Sequence, residues 1–90
     1  MLDPTGIRRV KHAIRAWTAR LSIGELTRTG PIEPVGEPIV IEPFEEIEVL
    51  RRTRVSGEIM ALILWRDTPY LVRLDDLEQR TIRGFRFRRG

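Results

Sequence analysis

Apolar positions change their spacing along this chain, and each change marks a different kind of element. Ile7, Val10, Ile14, Trp17 and Leu21 recur at intervals of three and four residues, the spacing of one narrow stripe on a helix. Asp3 supplies a cap and Pro4 a first-turn proline. The pattern therefore predicts an amphipathic helix within residues 1–29, with Arg8, Lys11, His12 and Arg15 facing away from the stripe. A seam this narrow packs on something: the rest of this chain, a partner protein or a second copy.

The periodicity then disappears. GPIEPVGEPIVIEP, residues 30–43, holds four prolines and two glycines. Proline fixes φ and removes a donor, so this stretch is expected to be an extended acidic strap, with Ile39, Val40 and Ile41 able to form a short edge strand. From Phe44 onward a period of two takes over. In EEIEVLRR, Ile47 and Val49 alternate with charge, as in a strand with one buried face. VSGEIMALILW is apolar enough for a strand buried on both faces. RDTP punctuates a turn, and in TPYLVRL, Tyr70, Val72 and Leu74 share one face while Leu71 and Arg73 share the other. LDDLEQ reads as one helical turn before a last strand, TIRGFRF.

Short strands joined by tight turns, with one helical turn before the last, resemble an SH3-like small barrel. EIEVLRRTRVSGEIMALILW and PYLVRLDDLEQ carry the resemblance, over residues 44–87. The expected fold is α+β: an N-terminal amphipathic helix (1–29), an acidic Pro-rich strap (30–43) and a small, mostly antiparallel SH3-like β-barrel of four to five strands (44–90). Such a resemblance implies a fold and little about function, because barrels of this kind serve RNA binding, DNA binding and protein docking alike.

Composition narrows the chemistry more than it identifies it. Ninety residues suit one domain, and 41% hydrophobic with 32% charged residues is ordinary for a folded protein. The absence of cysteine excludes disulfides, zinc knuckles and thiol catalysis. It also fits a reducing compartment. The longest apolar run, Ile59 to Trp65, is far short of the roughly 20 residues of a membrane-spanning helix. With no apolar run of secretory character either, the expectation is a cytoplasmic protein. His12 is the sole histidine, and Ser22 and Ser56 have no base nearby in sequence, so the expectation is no enzyme and no cofactor. Asp75, Asp76 and Glu78 form the densest acidic cluster. They are read as a helix cap in preference to a metal site, since oxygen-ligand sites draw on several segments.

Charge is segregated, although the net charge is only +3. Residues 30–50 hold six acids and no base, residues 51–54 three arginines, and residues 79–90 five arginines and no acid. Glu42, Glu45, Glu46 and Glu48 read as a solvated face, or as an internal mimic of phosphate lying over the basic segments. Arg51, Arg52 and Arg54 are expected in a loop between strands, and Arg80, Arg83, Arg86, Arg88 and Arg89 along the final segment. Guanidinium forks suit phosphate, so Arg51, Arg52, Arg54, Arg83, Arg86, Arg88 and Arg89 form the candidate nucleic-acid surface, for RNA or DNA. The closing RGFRFRRG also resembles the start of the RNA-recognition strand consensus: Arg83, Gly84, Phe85 and Phe87 match, whereas Arg86 stands where a small residue is usual. The alternative is an accessory subunit of a larger assembly, including a phage or virus particle, docking through Ile7, Val10, Ile14, Trp17 and Leu21. A basic helix lying on an anionic membrane is the least favoured reading, because five apolar residues make a narrow face.

Overall fold

The computed structural model describes residues 6–20 and 32–83. They form β1 (Gly6–Val10), β2 (Ile14–Arg20), β3 (Glu33–Ile41), β4 (Glu46–Val55), β5 (Glu58–Trp65), β6 (Thr68–Arg73), helix α1 (Leu74–Arg80) and β7 (Thr81–Arg83). All seven strands join one antiparallel sheet in the order β3-β2-β6-β5-β4-β1-β7.

Two expectations are corrected here. Residues 6–20 are two strands, not a helix, and the sheet is an open seven-stranded one, not a barrel of four to five strands closed on itself. Local propensity leaves the first point to tertiary structure: Ile7, Val10, Ile14, Trp17 and Thr18 are mediocre helix formers and good strand formers. Pairing with β3, β4, β6 and β7 then satisfies the backbone in ladders. It also buries Ala16 and Ala19, which lie off the helical stripe.

The sheet must coil. Val10 and Ile14 are four residue steps apart, at most about 14 Å of chain. Their strands are four positions apart in the sheet, about 19 Å if it were flat. Only a curled sheet lets the short link at residues 11–13 join β1 to β2. Helix α1 sits at this join: the Arg80 carbonyl accepts bonds from the backbone N–H groups of Lys11 at 2.7 Å and His12 at 3.0 Å.

Inside the curl lies the larger core, built from Val10, Ile14, Ala16, Ile41, Ile47, Val49, Ala61, Ile63, Val72 and Leu77. The opposite face carries a second cluster of Ala19, Ile32, Met60, Leu62 and Leu71, with Trp17, Leu50 and Val55 packed against it. β5 thus supplies both cores, Ala61 and Ile63 to one and Met60 and Leu62 to the other, as its continuous apolar run predicts. β6 alternates as expected, Val72 facing the first core and Leu71 the second. β3, from the Pro-rich strap, is an edge strand, where prolines cost few ladder bonds.

Turn chemistry is local. Ser56 and Gly57 both have positive φ, 50° and 84°, as do Arg66 and Asp67, 54° and 62°. Two-residue connections with both φ positive are the type I′ turns whose twist matches that of paired strands. The α1 turn carries Asp75 and Asp76 in its first turn, where the dipole favours acids, but the N-cap position is Arg73 and makes no side-chain cap bond. The capping role expected of Asp75 or Asp76 is therefore corrected to a first-turn one.

Candidate nucleic-acid interface

Arg51, Arg52 and Arg54 lie within strand β4 and not in a loop. Strand geometry splits them. Ile47 and Val49 face the inner core, and Leu50 is an extra residue, since the pairing moves from Val49↔Ile63 directly to Arg51↔Leu62. This bulge shifts the phase of everything beyond it. Arg52 pairs with Ala61 and Arg54 with Ile59, so both fall on the inner-core face, whereas Arg51 sits with Leu62 on the opposite one. Arg52 and Arg54 are exposed, because they lie beyond the part of that face covered by the core.

The same face receives two more arginines. Arg8 of β1 is directly opposite Ile47 of β4 and Arg83 of β7, and both belong to the register that puts Val10 and Thr81 inward. The Arg8 Nε donates to Thr81 Oγ1 at 2.7 Å, and a terminal nitrogen reaches the Thr81 carbonyl at 3.5 Å. Burial holds the Arg8 guanidinium below its ordinary pKa, and neighbouring Arg83 adds to the shift while Glu78 opposes it. The helical spacing puts Arg8 on the side facing away from the stripe, so only strand pairing reveals that it stands beside Arg83. Among the described residues, the guanidinium groups of Arg52, Arg54 and Arg83 have no ion-pair or hydrogen-bond partner. Arg86, Arg88 and Arg89, with Phe85 and Phe87, lie outside the described residues.

The described residues of the expected docking stripe do not share one surface. Val10 and Ile14 are fully buried in the chain's own core, Ile7 and Trp17 are half-buried on the opposite sheet face, and Leu21 lies outside the described residues. A period of three and four produced this set, but period two on either side of the bend at residues 11–13 distributes it over both faces. The exposed large apolar groups are elsewhere, with Val40 52% and Phe44 84% exposed at and just beyond edge strand β3.

The acidic run divides as well. Glu45 accepts a bond from Trp65 Nε1 at 2.9 Å and pairs with Arg66 at 3.5 Å, while the Arg66 guanidinium stacks 4.6 Å from the centre of the Trp65 ring. Glu46 reaches Arg9 at 4.0 Å. Glu45 is thus structural. Among the described residues no group of three or more His, Cys, Asp or Glu is arranged to hold a metal, and no helix is long and apolar enough to cross a membrane.

A further basic group was invisible to linear clustering. Arg15 of β2, Arg73 at the end of β6 and Arg80 of α1 line one open pocket of about 420 Å³ together with Trp17, Val40 and Asp76. These arginines come from three elements, so no sequence window contains them. Compared with protein-family models, with curated proteins and with solved structures, the chain matches none.

Proposed function

We propose that this chain is a small non-enzymatic binding module, working in the cytoplasm, that grips nucleic-acid backbone through Arg52, Arg54 and Arg83. The observation that carries the reading is the shared face: the Leu50 bulge turns Arg52 and Arg54 to the side that also bears Arg8 and Arg83. The Arg52, Arg54 and Arg83 guanidinium groups, which have no ion-pair or hydrogen-bond partner among the described residues, are available as forks for phosphate oxygens. Arg8, held by Thr81, stands opposite Arg83 in the ladder, so the two like charges add to the positive potential of this face. Arg51 belongs to the other face and is dropped from the grip. Contacts of this kind position a polymer without reading its bases, so the expected binding is weakly dependent on sequence.

The test is an anisotropy titration of labelled single-stranded and duplex oligonucleotides at several salt concentrations. Three phosphate contacts give a slope of log K against log salt of about −2 for single strands and nearer −3 for duplex. The double reversal Arg52→Glu with Arg54→Glu should lower affinity at least tenfold and flatten the slope, while Arg51→Glu has a smaller effect. No binding at low salt, or an unchanged affinity after the double reversal, rejects the reading.

The alternative, an accessory subunit docking on partner proteins, is favoured by one observation. Edge strand β3 carries exposed Val35 and Val40 with Phe44 just beyond it, an open ladder beside apolar side chains. It becomes the leading reading if the oligonucleotide titrations are negative.

A further inference from the structure

We infer that the pocket between β2, β6 and α1 binds a phosphorylated nucleoside unit, with the phosphate on Arg15, Arg73 and Arg80 and the base against Trp17 and Val40. This site is separate from the Arg52, Arg54 and Arg83 face and does not rest on it. Its volume, about 420 Å³, falls within the range of roughly 300–1,000 Å³ typical of small-ligand sites.

The three guanidinium groups differ in how they are held. Arg73 Nε is locked on Glu58 at 2.6 Å. Arg80 is fixed by the Ala13 carbonyl at 3.2 Å and lies 3.8 Å from Asp76. Each such contact engages only part of a five-donor fork, leaving nitrogens for another acceptor. Both groups are therefore oriented in advance, which lowers the ordering cost of binding an anion. Arg15 has no ion-pair or hydrogen-bond partner for its guanidinium among the described residues. Three cations against Asp76 in the lining and the Glu58 carboxylate held by Arg73 leave one net positive charge at the pocket, the sign that an anionic phosphate requires.

The rest of the lining is apolar, which a bare anion site would not need. Trp17 is half-buried, Val40 stands directly opposite Arg15 in the ladder and is 52% exposed, and Ala13 and Ile14 complete the lining. An indole beside a guanidinium cluster is the pairing by which bases stack while their phosphates are held. Sugar phosphates lack the flat face that Trp17 would cover.

The experiment is a pair of nuclear magnetic resonance titrations of the full chain, following the indole N–H signals of its two tryptophans. Trp65 is bonded to Glu45 outside the pocket and serves as the internal reference. The probes are inorganic phosphate, adenosine 5′-monophosphate and a 5′-phosphorylated oligothymidylate. A saturable shift of the Trp17 signal with the mononucleotide, at least tenfold tighter than with phosphate, supports the site and identifies a free nucleotide as sufficient. A Trp17 shift with the oligonucleotide alone supports it with a strand as the source.

Arg15→Ala, which removes no side-chain bond among the described residues, should weaken binding about tenfold to a hundredfold. Asp76→Asn should tighten it, an outcome that loss of structure would not give. A Trp17 signal unmoved by all three probes, or one that responds to phosphate at least as tightly as to both nucleotide probes, overturns the inference. If oligonucleotide binding is lost in the Arg52→Glu, Arg54→Glu protein while Trp17 never moves with any probe, the pocket fails and the backbone grip stands.

Discussion

Thr81 is the one buried polar side chain among the described residues, and it holds two elements at once. Its hydroxyl accepts from Arg8 Nε and donates to the Leu77 carbonyl in the last turn of α1. A threonine at that position therefore satisfies a half-buried guanidinium and an end-of-helix carbonyl that lacks an intrahelical partner. Thr81→Val keeps the shape and removes both bonds. Urea denaturation should show a loss of about 1–3 kcal/mol, with Thr81→Ser recovering most of it. An equal loss in the serine variant would mean that packing of the methyl group, and not hydrogen bonding, is what matters.

At the scale of the element, Ala16 separates the two conformations that its sequence allows. On an amphipathic helix it would lie off the apolar stripe, and leucine there would cost only a few tenths of a kcal/mol in helix propensity. In β2 it is fully buried against the inner core, opposite Ile39. Ala16→Leu should therefore destabilise the protein by about 1–3 kcal/mol through overpacking, read from the denaturant midpoint. A neutral result would contradict the strand. The stripe over residues 7–21 was misleading because Ile7 and Val10 precede a bend and Ile14 and Trp17 follow it. Two short period-two patterns joined by a bend can imitate a three-and-four spacing. By contrast, β5 and β6 are legible because both are rich in β formers and meet at the Arg66-Asp67 turn, whereas only the first half of β4 is: the loop expected at Arg51–Arg54 is strand, and Ser56-Gly57, expected within a strand, make the turn.

Across the whole molecule, strands from the N-terminal segment, the strap and the C-terminal half share one sheet, and β2, β3 and β4 all feed the inner core. Few of these contacts are local, so no part buries enough apolar surface by itself. Unfolding should be a single transition, coincident by far-ultraviolet circular dichroism and tryptophan fluorescence. Separate transitions would show that one segment holds its own core. The same long-range pairing explains why the candidate sites were only half readable. The chain displays its arginines, but whether Arg8 meets Arg83, or Arg15 meets Arg73 and Arg80, depends on strands that lie far apart in sequence.

The sequence by itself determined the lack of thiol chemistry, the extended character of the Pro-rich strap, the two-faced burial of β5, the alternation of β6 and the helical turn at Leu74–Arg80. Each follows from interactions within a few residues or from composition. Tertiary structure alone decided that residues 6–20 are strands, that the sheet stays open, and which arginines share a face. Intrinsic preferences near the N-terminus differ by a few tenths of a kcal/mol per residue, so ladder bonds and core burial supplied by distant strands set the outcome. At β4 a single extra residue, Leu50, decided the rest. In a strand of period two, one bulge reverses every side chain beyond it.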